Sequence, residues 1–438
     1  MLTALRLTPI PVTLAILSFI MPTELSLVLG DLRLSPHRVV FLIFFPFAVW
    51  RLLSNPACGL KAYDFPIFLL AAWQSAIFTY HSGNEGLAFG GSWALESLGG
   101  YLIARAYIRD LDALKASLKI VFASIVTAAL IATLDSLTQS YFTHELLRAI
   151  VGGEPMPPVE LRQGIARAAS TFDHPIHYGT YCATMFALIW AAETKKVVRA
   201  MRAAVLAIAA LLALSSAPLL SLGLQTMMLL WDRGTRGIGM RTQLTLAAVV
   251  GLYIGVAAVS PKSPIELLIV GATFDPWTGL YRIMIWTHGL ENVWAYPFTG
   301  IGLAEWERPR WMVSSTIDAY WLVLPMRSGI PALLLLSLTI VMLGRGVIRR
   351  AVGSRDAERR RIGSGWMISL VAFCLLGATV HFWNVPHALF FFFIGLGSAL
   401  ADPRRITASA RGTDTSIART RPRHPSFGPF PVRDPQAA

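Results

Sequence analysis

The stretch SPKSPIELLIVGATFDPWTGLYRIMIWTHGLENVWAYPFTGIGLAEWERPRWMVSSTIDAY, residues 260–320, decides how the rest of the chain is read. It is a polar passage set among apolar runs, and it holds six of the 13 tryptophans: Trp277, Trp286, Trp294, Trp306, Trp311 and, at its margin, Trp321. It also carries Arg282, His288, Glu305, Glu307, Arg308, Arg310 and Asp318. A connection this long is functional or disordered, and aromatic enrichment without low-complexity runs argues against disorder. The side of a membrane it occupies therefore bears directly on function.

Around this stretch the 438-residue chain is 55% hydrophobic and only 14% charged, with a mean hydropathy of +0.56. That composition excludes an ordinary soluble protein. Since a bilayer core takes about 20 apolar residues per helix, the expected fold class is an all-α polytopic membrane protein of about 12 transmembrane helices. The candidate spans lie at about 8–28, 37–53, 65–80, 87–108, 117–137, 177–192, 201–215, 217–231, 242–259, 321–344, 364–380 and 383–400. Pro22, Thr23 and Glu24 interrupt the first of them. Without a small-residue cleavage site, that span reads as a retained helix and not a signal peptide. The transmembrane domain is expected over residues 1–401, with large connections at about 138–176 and 260–320. Residues 402–438, rich in Arg, Pro, Ser and Thr, read as a disordered basic tail that touches anionic lipid.

Orientation follows from Lys and Arg. With the N-terminus in the cytoplasm, only ten of the 38 basic residues fall on the opposite face: Arg33, Arg38, Arg148, Arg162, Arg167, Lys262, Arg282, Arg308, Arg310 and Arg327. Both termini are then cytoplasmic, and both large connections face outward. The net charge of +13 is thus a topology signal, and no nucleic-acid partner is expected. Cys58, Cys182 and Cys374 are far apart and show neither pairing nor metal spacing. No HExxH, paired CxxC or DxD cluster occurs, so no metal or cofactor is expected.

Outside the cytoplasm there is no ATP, so a reaction there must use a substrate that carries its own energy, such as a lipid-linked diphosphate sugar. Arginine's planar fork of donors fits a phosphate, and a group of them would offset the charge of a departing diphosphate. The alternative is that each Arg binds a lipid headgroup or pairs with Glu160, Glu305 or Glu307. Arg327 lies one to two turns inside an apolar span, a costly position for a charge, with Asp318 a candidate partner. His177, at the mouth of the sixth span, is placed for a general base or a structural hydrogen bond. The aromatics either stack on sugar rings, with Trp286, Trp306 and Trp321 as candidates, or form an interfacial belt around an amphipathic helix over 279–295. Glu96 and Arg105 lie inside the fourth span, and Asp135 ends the fifth. The chain shows no internal duplication and no matched pair of broken helices of the kind many transporters carry.

Several segments carry a resemblance. Arg167-Ala-Ala-Ser-Thr-Phe-Asp-His-Pro-Ile-His-Tyr-Gly-Thr is similar to the Arg-containing FxHPIxxG segment of the O-antigen ligase/polymerase family. Tyr281-Arg282-x-x-Ile285-Trp286 resembles its Arg-x-x-x-Trp step, and Pro297-Phe-Thr-Gly-Ile-Gly-Leu its hPxxGxGx turn. Ser315-Thr-Ile-Asp-Ala-Tyr-Trp-Leu followed by Arg327-Ser-Gly-Ile-Pro resembles the SxDNxWL…RxGxPG passage of exopolysaccharide-type members. The resemblance implies a GT-C-like, metal-independent glycosyltransferase on the periplasmic face of the bacterial inner membrane. Its substrate would be an undecaprenyl-diphosphate-linked oligosaccharide, with Arg162, Arg167, Arg282 and Arg327 on the diphosphate. Chain-length regulators or other polysaccharide assembly proteins would be its partners. Ligases carry a His in the final passage, where this chain has Asp318, and the expected Asn is Ala319; the departure favours a polymerase. Asp318 is then the expected base, with His177 second. Transfer of glycan to lipid A-core, and a non-enzymatic flippase, are the competing expectations.

Overall fold

The computed structural model describes residues 8–29, 32–55, 59–152, 155–162, 164–235 and 276–402, with isolated positions between 238 and 258. The protein is mostly helical, and three described helices are long and apolar enough to cross a membrane: Pro36–Ser54, Leu111–Thr138 and Tyr320–Val352. The expected ninth span, the start of the 260–320 connection, Cys58, Lys262 and the tail beyond Asp402 lie outside the described residues.

The first helix, α1 (Ile10–Ser18), is shorter than the span expected over 8–28. Beyond it the chain forms a 3-10 turn at Thr23–Leu25 and a hairpin of β1 (Leu27–Leu29) and β2 (Leu32–Leu34), with Leu27 opposite Leu34. Pro22 and the charge on Glu24 end the apolar run, because a carboxylate needs a partner that helix continuation would not supply. Helix α2 (Pro36–Ser54) follows, with Pro36 in its first turn where the missing N–H costs nothing.

Helix α3 (Phe65–Tyr107) is a continuous run of helical residues that folds back on itself at Ser82 and Gly83, where Gly83 takes φ +56°. Phe78 meets both Phe89 and Trp93 at ring-centre distances of 4.9 and 5.4 Å, contacts impossible along one straight rod. At Gly86 a Cβ would sit 1.9 Å from the Phe78 carbonyl, so the reversal demands glycine there. The two arms correspond to the third and fourth expected spans. Asp110 caps α4 (Leu111–Thr138) by accepting from the Ala113 amide. The connection after α4 is not irregular throughout: it contains α5 (Phe142–Val151) and a two-residue hairpin, β3 (Leu161–Arg162) with β4 (Ile165–Ala166).

The sixth expected span is broken into α6 (Pro175–Ala183) and α7 (Phe186–Ala192). Buried Gln225 repairs the break, donating to the Ala183 carbonyl and accepting from the Ala187 amide at 2.9 Å each. Interrupted helix is tolerated in an apolar interior only with such replacement partners. Next come α8 (Lys196–Leu212), α9 (Ser216–Gly234), α10 (Pro276–Ala295), α11 (Tyr320–Val347), α12 (Ala357–Gly377) and α13 (Val385–Ala401). All residues of α13 are buried, as its unbroken apolarity requires. Glycines let it approach its neighbours: a Cβ on Gly100 would meet the Ala388 carbonyl at 2.6 Å, and one on Gly395 the Tyr101 carbonyl at 2.5 Å.

The contacts sort the connections into two groups. At one end Lys115 meets Glu358, Arg361 donates to the Ala191 carbonyl and Arg350 to that of Ala401. At the other, Thr23 and Asn384 both donate to Asp173, and His144 meets Glu24. These are the same two groups that the Lys and Arg distribution separates. They are called below the basic end and the loop-rich end.

Candidate functional site

A chamber of about 900 Å³ opens at the loop-rich end. Its wall comes from the turn after α1 (Thr23, Ser26), the start of α2 (Ser35, Arg38), the reversal of α3 (Asn84, Glu85), and Ser92, Trp93 and Glu96 on its second arm. Asp173, Leu303, Trp383 and Asn384 complete it. Glu96 is fully buried and accepts from Arg38 Nε at 2.8 Å, with His37 Nε2 at 3.1 Å from the same oxygen. Its other oxygen, Oε2, has no protein partner among the described residues. Trp93 stacks on His387 at 5.4 Å, and His387 Nε2 meets Ser97 Oγ at 2.8 Å. Asn384 bridges to Asp173 at 2.7 Å while held at φ +57°, an uncommon backbone for a residue with a side chain.

Behind one wall lies a layer of histidines. His174 caps α6 by accepting from the Ile176 amide through Nδ1 at 3.1 Å. Burial, then the positive charge of Arg167, pushes its pKa down to about 4. His381 is pushed down to about 3 by burial, then by His387 and Arg327. His177 is buried with its ring centre 3.8 Å from that of Trp383, and its Nε2 has no partner among the described residues. Trp383 thus stands between His177 and the chamber.

Arg167, Arg282 and Asp318 form an electrostatic group assembled from three separate segments. Arg167 follows β4, Arg282 sits nearly two turns into α10, and Asp318 lies on irregular chain just before α11. Burial lowers the Arg282 pKa, Asp318 raises it and Arg167 lowers it. For Asp318, burial raises the pKa and Arg282 pulls it back down, leaving it above the ordinary carboxylate value. Arg167 is 3% and Arg282 8% exposed, yet Arg167 Nη2 and Arg282 Nε have no hydrogen-bond partner among the described residues. Glu160 holds the Arg167 Nη1 end, and the β3–β4 hairpin is anchored where Arg162 Nη1 donates to the Leu214 carbonyl at 2.8 Å. Arg162 also contributes to the field at His174.

Arg327 is used differently from the other three arginines. Its Nη1 donates to the carbonyls of Gly302 at 3.0 Å and Ala304 at 2.5 Å, and Glu305 is the acid that acts on it. These carbonyls and Glu305 take the place of the expected pairing with Asp318, and the charge that acts on Asp318 is that of Arg282. The reason lies in an interlock between two glycine-containing segments. The Ile301 and Gly302 amides donate to the Met326 and Arg327 carbonyls, and the Ile330 amide to that of Pro297. Gly329, at φ +77°, breaks α11 there, and a Cβ on it would lie 1.9 Å from the Phe298 carbonyl. The carbonyls freed at the break, those of Met326 and Arg327, take the Ile301 and Gly302 amides, and the Arg327 guanidinium in return serves the Gly302 and Ala304 carbonyls of the turn.

The tryptophans named from sequence serve the scaffold through their indole N–H groups. Trp286 donates to the Ala378 carbonyl at 2.9 Å, Trp306 to Ser315 at 3.0 Å and Trp321 to Cys374 at 2.7 Å. Trp306 is buried in a small apolar cluster with Ile285, Val293 and Met326. The chamber instead presents Trp93 and Trp383, which sequence reading did not single out. Trp383 falls in the short connection between the last two helices, where a polar residue pair beside an aromatic was the available signal. Glu96 pairs with His37 and Arg38, whereas Arg105 pairs with Asp64 at 3.0 Å, so these two charges of α3 serve opposite ends. Among the described residues no group of three or more His, Cys, Asp or Glu is placed to hold a metal ion. No protein-family model matches the chain, and no curated protein matches it.

Proposed function

We propose that this chain is a glycosyltransferase of the periplasmic face of a bacterial inner membrane. It is polytopic, with about 12 spans in a GT-C-like arrangement and both termini in the cytoplasm. It polymerises exopolysaccharide or O-antigen repeat units carried on undecaprenyl diphosphate. The observation that supports this reading best is that buried Arg167 and Arg282, each with an N–H unmatched among the described residues, share one electrostatic group with an acid of raised pKa. Buried guanidinium donors without protein partners are costly unless a ligand supplies the acceptors, and a diphosphate supplies them.

In this mechanism the two arginines hold the donor's diphosphate. An acceptor hydroxyl attacks the anomeric carbon, the bond from that carbon to the diphosphate oxygen breaks, and its electron pair stays on the diphosphate, where the arginines offset it. The hydroxyl proton passes to Asp318, whose burial makes it a stronger base than an exposed carboxylate. Inversion at the anomeric carbon follows from a single displacement. The chamber at the same loop-rich end, whose lining holds Trp93, Trp383 and mixed donors and acceptors but none of these three residues, takes the glycan. Transfer to lipid A-core would use the same arginines and differ only in what the chamber admits.

The test is incubation of the purified full-length protein with an undecaprenyl-diphosphate-linked oligosaccharide. Longer glycan and free undecaprenyl diphosphate are the expected products. Turnover of neither, together with inner-leaflet accumulation of repeat units in a deletion strain, would establish a flippase instead.

A further inference from the structure

We propose that a cleft at the basic end binds an anionic phospholipid from the adjacent leaflet, with its phosphate among Lys196, Arg199, Arg233 and Arg361. This site is separate from the chamber and does not depend on the reading given above. The cleft has a volume of about 400 Å³ and lies where four helices end: α7, the start of α8, the end of α9 and the first turns of α12. Among the described residues four cations line it against a single acid, Asp232, so the described mouth carries surplus positive charge.

Two of the cations are held in place. Arg361 Nε donates to the Ala191 carbonyl at 2.6 Å, while its Nη2 is buried with no hydrogen-bond partner among the described residues. Arg199 lies over the Trp190 ring at 4.8 Å, which fixes its guanidinium. Lys196 and Arg233 are exposed at the rim.

Below this mouth the lining turns apolar. Leu229 and Thr226 precede Arg233 by four and seven residues on α9, a depth of about 6 to 10 Å at the helical rise. Phe186 faces the same space. Exposed Met227 and Leu230 continue the apolar surface outward along α9. A free phosphate would satisfy the mouth and leave the apolar wall bare, whereas a phospholipid satisfies both. Basic pockets between helices at one membrane face fit an anionic headgroup on the same electrostatic grounds.

The experiment follows thermal unfolding of the detergent-purified full-length protein with added phosphatidylglycerol, phosphatidylcholine or inorganic phosphate. Phosphatidylglycerol should raise the midpoint by roughly 2–4 °C, with the other two without effect. The variant Lys196→Gln with Arg233→Gln removes only exposed charge, so its fold is kept. It should bind phosphatidylglycerol about 25-fold more weakly, at roughly fivefold per cation. Native mass spectrometry of the unaltered protein should show retained anionic lipid that salt displaces. An equal shift from phosphatidylcholine, the same shift from inorganic phosphate alone, or unchanged affinity in the variant would overturn the assignment.

Discussion

Replacing Arg282 by Gln tests the central electrostatic group most directly, because two consequences of opposite kind follow from one charge. Arg282 is 8% exposed, and burial already acts against its charge. Such a cation about 4 Å from a phosphate charge contributes on the order of 4 kcal/mol at an effective dielectric of about 20. Loss of one donor aimed at charge developing on the leaving group typically lowers turnover by about 10²- to 10³-fold. The second consequence concerns Asp318, which burial holds above its ordinary 3.8 while Arg282 pulls it down. Without the guanidinium its pKa rises further, and a base with a higher pKa is lost at higher pH. The acid limb of the rate profile therefore moves upward in Arg282→Gln, and residual activity recovers as pH is raised. The assay is glycan chain length per unit of membrane-inserted protein, measured across pH with the purified enzyme. Unchanged polymer length and an unmoved acid limb would refute the diphosphate role and the Asp318 role together.

Other expectations follow from single contacts. Gly329→Ala places a side chain at φ +77° against the Phe298 carbonyl, and should cost about 2 kcal/mol or more, seen as a lower unfolding temperature. Asp64→Asn leaves the fully buried Arg105 without its counter-ion; a loss of about 3–5 kcal/mol is expected, and a wild-type midpoint would contradict it. The Glu24–His144 pair predicts a pH dependence whose sign can be worked out. For His144 burial lowers the pKa but the Glu24 contact outweighs it, so its stabilisation is complete below the ordinary 6.5 and fades as pH rises through the raised folded value. Burial raises Glu24 but His144 outweighs that, so its contribution is complete above the ordinary 4.5 and fades as pH falls through the lowered value. The pair is thus strongest between these limits, and Glu24→Gln should flatten the fall in thermal stability expected as pH rises above the ordinary histidine value through the raised one.

Helix existence was largely legible from the chain, because burial in an apolar medium demands long hydrophobic runs and no other sequence writes them. The helical arms of α3, the amphipathic α10 and the fully apolar α13 all fall where periodicity and hydropathy place them. What the pattern could not show is where helices break inside apolar sequence. The gap between α6 and α7 depends on Gln225, some 40 positions onward, and the break at Gly329 depends on the turn at residues 297–302. Likewise the turn beyond the first helix holds Glu24 on His144, a contact across 120 positions.

The sequence by itself determined the helical, apolar character of the chain and the separation of basic from loop-rich connections, and it drew attention to Arg167, Arg282 and Asp318 without showing what surrounds them. Only tertiary structure decided their use. It put Asp318 in the field of Arg282 and gave Arg327 to backbone carbonyls, because a half-buried guanidinium takes whichever acceptors the fold leaves unpaired. It also spent the indole N–H groups of Trp286, Trp306 and Trp321 on the scaffold. The chamber of Trp93, Glu96 and Trp383 draws on segments up to about 360 positions apart. Local spacing carries no record of such neighbours, since their proximity is fixed by how helices pack and not by any pattern within one of them.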